Sequence, residues 1–132
     1  MKKFIITTCA ILMMSVTANA CGGIAIKGKS GADYCLSKHT MNWYSAYAWC
    51  NDQKLRLIDM GSVCKSSSSC PELKLSDDEK KHITDNGGTV GWVWTNRSGG
   101  AGDTPPVHLT TGGTNYISCH SRNCSGGYAL CF

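Results

Sequence analysis

The sequence predicts a small α+β domain of two helices and a small β-sheet, stapled by disulfides. Three observations carry this. Helical periodicity and a helix-start signature occur before residue 86, short apolar segments separated by Gly and Pro follow it, and eight cysteines remain once the first twenty residues are set aside.

Those twenty residues, MKKFIITTCAILMMSVTANA, place Lys2 and Lys3 before an apolar run from Phe4 to Val16 and end in Ala18-Asn19-Ala20. A basic start, an apolar middle and a small-x-small ending are the marks of a secretory signal peptide. The run is shorter than the roughly 18 to 20 residues that span a bilayer, and Thr7 and Thr8 interrupt it, which argues against a retained anchor. Cleavage after Ala20 leaves Cys21 first. A lipoprotein would use that cysteine, but the leucine that usually opens a lipobox is missing, and lipidation would leave seven cysteines, an odd number. Whether Cys21 is lipidated stays open.

Without the leader, residues 21–132 carry eleven Lys and Arg against nine Asp and Glu, a net charge of +2. The cations are spread along the chain, so nothing points to nucleic acid or to an acidic membrane surface. A chain of this length suits one soluble domain secreted or held in the periplasm or at the cell surface. Eight cysteines in an exported chain read as four disulfides.

The elements follow in order. Ile24 and Ile26 alternate in a Gly- and Lys-rich arm from Gly22 to Ser30, consistent with a short edge strand or hairpin leading to Tyr34 and Cys35. Thr40 or Asn42 can cap a first helix whose Trp43, Ala46, Tyr47 and Cys50 share one face, expected to be core. Leu55 to Met60 reads as a short buried strand stopped by Gly61, with Asp59 at its end. Lys65 and four serines form a polar loop between Cys64 and Cys70. Ser76-Asp77-Asp78-Glu79 is a capping box that starts a second helix, running to about Asp85 and stopped at Asn86-Gly87-Gly88. Beyond it, Val90, Trp92, Trp94, Val107, Leu109, Tyr116, Ile117 and the run from Tyr128 to Phe132 mark short strands.

Tyr34 to Met60, YCLSKHTMNWYSAYAWCNDQKLRLIDM, resembles the opening of a C-type-lectin-like domain: a cysteine, an aromatic-rich helix ending in Cys50, then a leucine-rich strand. Trp92-Val93-Trp94 is similar to that family's aromatic core strand, and Gly127-Tyr128-Ala129-Leu130-Cys131 to its closing strand. The likeness covers most of residues 21–132 and is to the compact bacterial secreted type. It implies a mostly antiparallel sheet and four pairs: Cys50–Cys131 as the long-range bridge, Cys21–Cys35, Cys119–Cys124, and Cys64–Cys70 as the remainder. Spacing alone could not choose among 105 pairings.

The resemblance also has departures. The Glu-Pro-Asn or Gln-Pro-Asp and Trp-Asn-Asp triplets of calcium-dependent sugar binders are missing, and Asp103 is the only acid between Asp85 and Phe132, whereas calcium takes six to eight oxygens. No calcium or other cofactor is expected. Zinc at Cys119, His120 and Cys124 competes with a disulfide favoured by an oxidising compartment. His39, His82, His108 and His120 read as surface or loop residues, no serine is framed as a nucleophile, and no enzyme is expected. Asn96-Arg97-Ser98 and Asn123-Cys124-Ser125 resemble glycosylation sequons, but the bacterial look of the leader favours polar loops. Of the four tryptophans, Trp43 and Trp92 are expected in the core, and Trp49 or Trp94 is the candidate for exposure as a sugar-stacking platform.

Loops on a rigid scaffold are where binding residues usually sit. The candidates are Asn96, Arg97, Asp103, Thr104, His108, Asn115 and Tyr116, joined by His120, Arg122 and Asn123, although the same loops also read as plain solvated surface. The resemblance implies an adhesion-type binding module for a glycan or protein surface. The competing reading is a structural or accessory component of a bacterial surface assembly such as a pilus. Oligomeric state and ligand identity stay open.

Overall fold

Ile24 and Ile26 point to one face of β1 (Ile24–Lys27) and are buried, while Ala25 and Lys27 are exposed. This period-2 alternation is what a strand covered on one side requires. The computed structural model describes residues 21–66, 69–97, 106–109, 112–113 and 121–132, so the predicted leader lies outside the described residues. β1 pairs antiparallel with β2 (Asp33–Met41), Ile24 facing Leu36 and Lys27 facing Asp33. Gly31 turns the hairpin at φ +87°, a value a side chain rarely adopts.

β2 pairs antiparallel with β5 (Gly127–Cys131), but the register shifts between Leu36 and Thr40. Buried Ser37 sits in this bulge. Its hydroxyl accepts from the Ala129 N–H at 2.9 Å and donates to the His39 carbonyl at 2.9 Å. The side chain thereby replaces a ladder bond that the bulge removes.

The first helix, α1 (Trp43–Asp52), starts at Asn42, whose side-chain oxygen accepts from Ser45 N at 2.8 Å. Ala46 and Cys50 are buried one turn apart against β5, but Tyr47 is 48% exposed and Trp43 only partly buried. The expected core face is therefore narrower than its apolar spacing implied. Gln53 and Lys54 close the helix with bonds to the Cys50 and Asn51 carbonyls, and Lys54 takes φ +61°.

The strand expected over Leu55–Met60 is corrected. Arg56 exchanges both backbone bonds with Phe132, and Ile58 N donates to the Leu130 carbonyl, but the pairing amounts to one bridge, Leu57 to Cys131. Asp59 then caps a short helix, α2 (Met60–Val63), accepting from Gly61 N at 3.2 Å. A 3-10 turn at Pro71–Leu73 precedes α3 (Asp77–Asp85), so the described residues hold three α-helices where two were expected. Ser76 Oγ caps α3 through Glu79 N at 3.2 Å. The capping-box reading needs one amendment: the Glu79 carboxylate accepts from Lys27 N at 3.1 Å, tying α3 to β1.

Two short strands complete the sheet. β3 (Trp92–Val93) runs parallel to β5 and antiparallel to β4 (Val107–His108), giving the order β1-β2-β5-β3-β4, mixed but mostly antiparallel. Alternation divides the core between the two faces of β2 and β5. Leu36 and Leu130 join Ile24, Ile26, Ile58, Leu73, Ile83, Val93 and Val107, whereas Cys35, Ala129 and Cys131 join Ala46, Cys50, Leu57 and Trp94 under α1. Burial on both faces accounts for the unbroken apolar run of β5.

Trp94 is fully buried, against the expectation that it or Trp49 would be exposed; Trp43, Trp49 and Trp92 are partly buried. The Trp94 indole N–H donates to the Met41 carbonyl at 2.8 Å, and the ring lies against Gly127, where an added Cβ would stand 2.6 Å from Nε1. Cys21–Cys35, Cys50–Cys131 and Cys64–Cys70 are the disulfides between described residues. Cys124 is also disulfide-bonded, and its expected partner Cys119 lies outside the described residues. Cross-links of this number fit an oxidising compartment.

Candidate functional site

Tyr47 and Asn51, four residues apart on α1, share the helix side that faces Arg56 and Phe132. Between them opens a cleft of about 430 Å³, bounded further by Asp59 and Asn96. Two of its lining residues are aromatic. Tyr47 and Phe132 are 48% and 37% exposed, although large apolar side chains usually go inside.

The Tyr47 ring is held from behind. It stacks on Trp43 with centroids 5.3 Å apart and planes 21° from parallel. The Trp43 indole N–H donates to the Thr95 carbonyl at 2.9 Å, and the Arg122 guanidinium lies 4.0 Å over its ring. Trp43 N also donates to the Arg122 carbonyl at 3.0 Å, fixing the start of α1 to residues 121–124. An arginine, an indole and a phenol thus form one layered support.

The opposite wall is set by two backbone hydrogen bonds of 2.9 Å each between Arg56 and Phe132. This pairing lays the Arg56 guanidinium 5.1 Å from the Phe132 ring centroid. At the floor, Asp59 Oδ1 accepts from Asn96 Nδ2 at 3.2 Å, Asp59 Oδ2 accepts from Ser62 Oγ at 3.1 Å, and Asn96 Oδ1 accepts from Met60 N at 3.0 Å. The carboxylate and amide are locked by bonds that also cap α2.

Among the residues expected to bind ligand, the structure brings Asn96 to the cleft, where one amide hydrogen and its oxygen already serve the scaffold. Arg122 reaches the cleft indirectly, through Trp43. Arg97 and Asn123 are exposed, with their backbone amides bonded to Thr95 Oγ1 and Ser121 Oγ. His108 lies apart, in edge contact with Trp92 at 4.7 Å on the β3–β4 pair, and burial holds its pKa below the ordinary value. Asp103, Thr104, Asn115, Tyr116 and His120 lie outside the described residues.

Sequence reasoning missed Tyr47, Asn51, Arg56, Asp59 and Phe132 as site residues. A signal existed for two of them: Tyr44, Tyr47 and Asn51 fall at the i, i+3, i+7 spacing of a second helical stripe. The approach of Phe132 is a tertiary event with no local signature.

Among the described residues, no group of three His, Cys, Asp or Glu side chains is placed to hold a metal ion. Nor is any described helix long and apolar enough to cross a membrane. Comparison with protein-family models, with curated proteins and with solved structures returns no match.

Proposed function

We propose that this chain is an exported binding module of C-type-lectin-like type, recognising a glycan or protein surface without calcium in an adhesion-type role. The observation that carries the reading is the cleft of Tyr47 and Phe132: exposed aromatic rings beside polar side chains, on a frame closed by disulfides. Preorganised concave surfaces with an apolar lining and a few placed polar groups are where ligands bind.

Further support comes from the way the molecule is closed. The first helix is bonded through Cys50 to the last strand at Cys131, and that strand lies beside β2 near the start of the domain. The family likeness implies the same arrangement, and the leader read in residues 1–20 supplies the route to an oxidising compartment. The calcium-free part of the proposal rests on the shortage of acids after Asp85 and on Asp59, whose carboxylate accepts three bonds from its own neighbourhood.

The second reading, an accessory component of a surface assembly, is favoured by Tyr44, 55% exposed on α1 and not part of the cleft wall. A glycan array, with a pull-down against host and envelope proteins, separates the two when run with and without chelator. Chelator-insensitive binding to array glycans or to a purified protein supports the binding module. Silence in both overturns it, and co-purification in a surface assembly then supports the second reading.

A further inference from the structure

We propose that the cleft between Tyr47 and Phe132 is a subsite for one uncharged pyranose residue, a hexose or N-acetylhexosamine. The inference rests on the binding-module reading and narrows it to a ligand class and a place.

A pyranose presents an apolar C–H face and a rim of hydroxyls that donate and accept at once. A site that takes it needs an aromatic face and polar side chains with bonding capacity left over. The cleft has both. The rings of Tyr47 and Phe132 supply apolar surface, and stacking on Trp43 and contact with Arg56 hold those rings in place. Among the described residues, the Asn51 amide, the Arg56 guanidinium and the Tyr47 phenol make no side-chain hydrogen bond. Together they offer donors and acceptors: the amide gives both, the guanidinium donates, and the phenol does either.

Size and charge select further. About 430 Å³ lies near the lower end of small-ligand sites, room for a sugar ring but not for a helix, which is about 10 Å across. Among the side chains that line it, one cation, Arg56, stands against one anion, Asp59. Asp59 is already bonded to Gly61 N, Ser62 Oγ and Asn96 Nδ2, so it orders the floor. An uncharged ring fits this balance better than a sialic acid or a charged peptide.

The test titrates the ¹⁵N-labelled secreted protein, in excess chelator, with the methyl glycosides of glucose, galactose, mannose and N-acetylglucosamine. The expected result is saturable amide shifts at Tyr47, Asn51, Arg56, Asn96 and Phe132 with at least one of the four. Tyr47→Ala and Asn51→Ala then weaken that binding by roughly threefold to tenfold, the size of a lost ring contact or hydrogen bond. Asn51 is exposed, so its variant keeps the parent melting temperature and separates binding from folding. If none of the glycosides moves the cleft, or if both variants bind as the parent does, the subsite is wrong. Array or pull-down binding that persists in that case leaves the binding module standing with its site elsewhere; silence in both removes both.

Discussion

Ser37 shows how one hydroxyl can hold a sheet together. It is nearly inaccessible, and it bridges the Ala129 N–H of β5 to the His39 carbonyl across the bulge of β2. Ser37→Ala leaves a buried N–H without a partner, which costs about 1–3 kcal/mol and lowers the urea midpoint with little change in slope. A variant as stable as the parent would show that water or a register change replaces the bond. Trp94 depends in the same way on a distant residue: Gly127 leaves the room and Met41 supplies the acceptor. Both lie more than thirty residues away in sequence, which is why the burial of this indole was not legible locally. His108 titrates with a definite sign. Burial favours its neutral form, so its contribution is complete above the ordinary value near 6.5 and is lost as pH falls from there toward the lower folded value. The difference in stability between the parent and His108→Gln should therefore change with pH only over that window; a difference constant from pH 8 to pH 4 would contradict it.

Helix boundaries were the most legible elements because side-chain caps are local. Asn42 and Ser76 both do what their positions foretell, accepting from the amides three residues on. Asn42→Ala or Ser76→Ala should each cost about 1 kcal/mol in chemical denaturation. Asp59 belongs to the same class, although its sequence context predicts a strand end. The strand-like alternation of Leu55 to Met60 hid that Lys54 enters at φ +61° and that the segment bonds to β5 through one bridge before the cap takes over. Because Asp59 also orders Asn96, Asp59→Ala should cost more than either other cap and weaken ligand binding as well, a joint loss that neither Asn42→Ala nor Ser76→Ala shows. The exposed side of α1 was ambiguous for a different reason. Aromatics stand on more than one face of this helix, so periodicity could not say which would be covered. Close packing against Ala129 buries Ala46 and Cys50 and leaves Tyr47 outside.

At the scale of the molecule, the chain is closed by Cys50–Cys131, which spans 81 residues, while Cys64–Cys70 spans six. In the chain-entropy model the first stabilises by about 4–5 kcal/mol and the second by about 2 kcal/mol. Cys50→Ala should therefore melt roughly 10 °C lower than Cys64→Ala, and equal melting temperatures would count against the long bridge as the main staple. The α+β class was legible from caps, short apolar runs and turn residues, but the cleft was not, since it joins a helix side to Arg56 and Phe132 only after the sheet has formed. Binding by the proposed module is expected to depend on the disulfide frame and not on a metal ion. The most direct test is an isotherm for an array-selected glycan in excess chelator, recorded before and after thiol titration shows the cysteines reduced. Full binding before reduction and loss of at least most of it afterwards are expected; binding abolished by chelator alone, or unchanged in the fully reduced protein, would rule this dependence out.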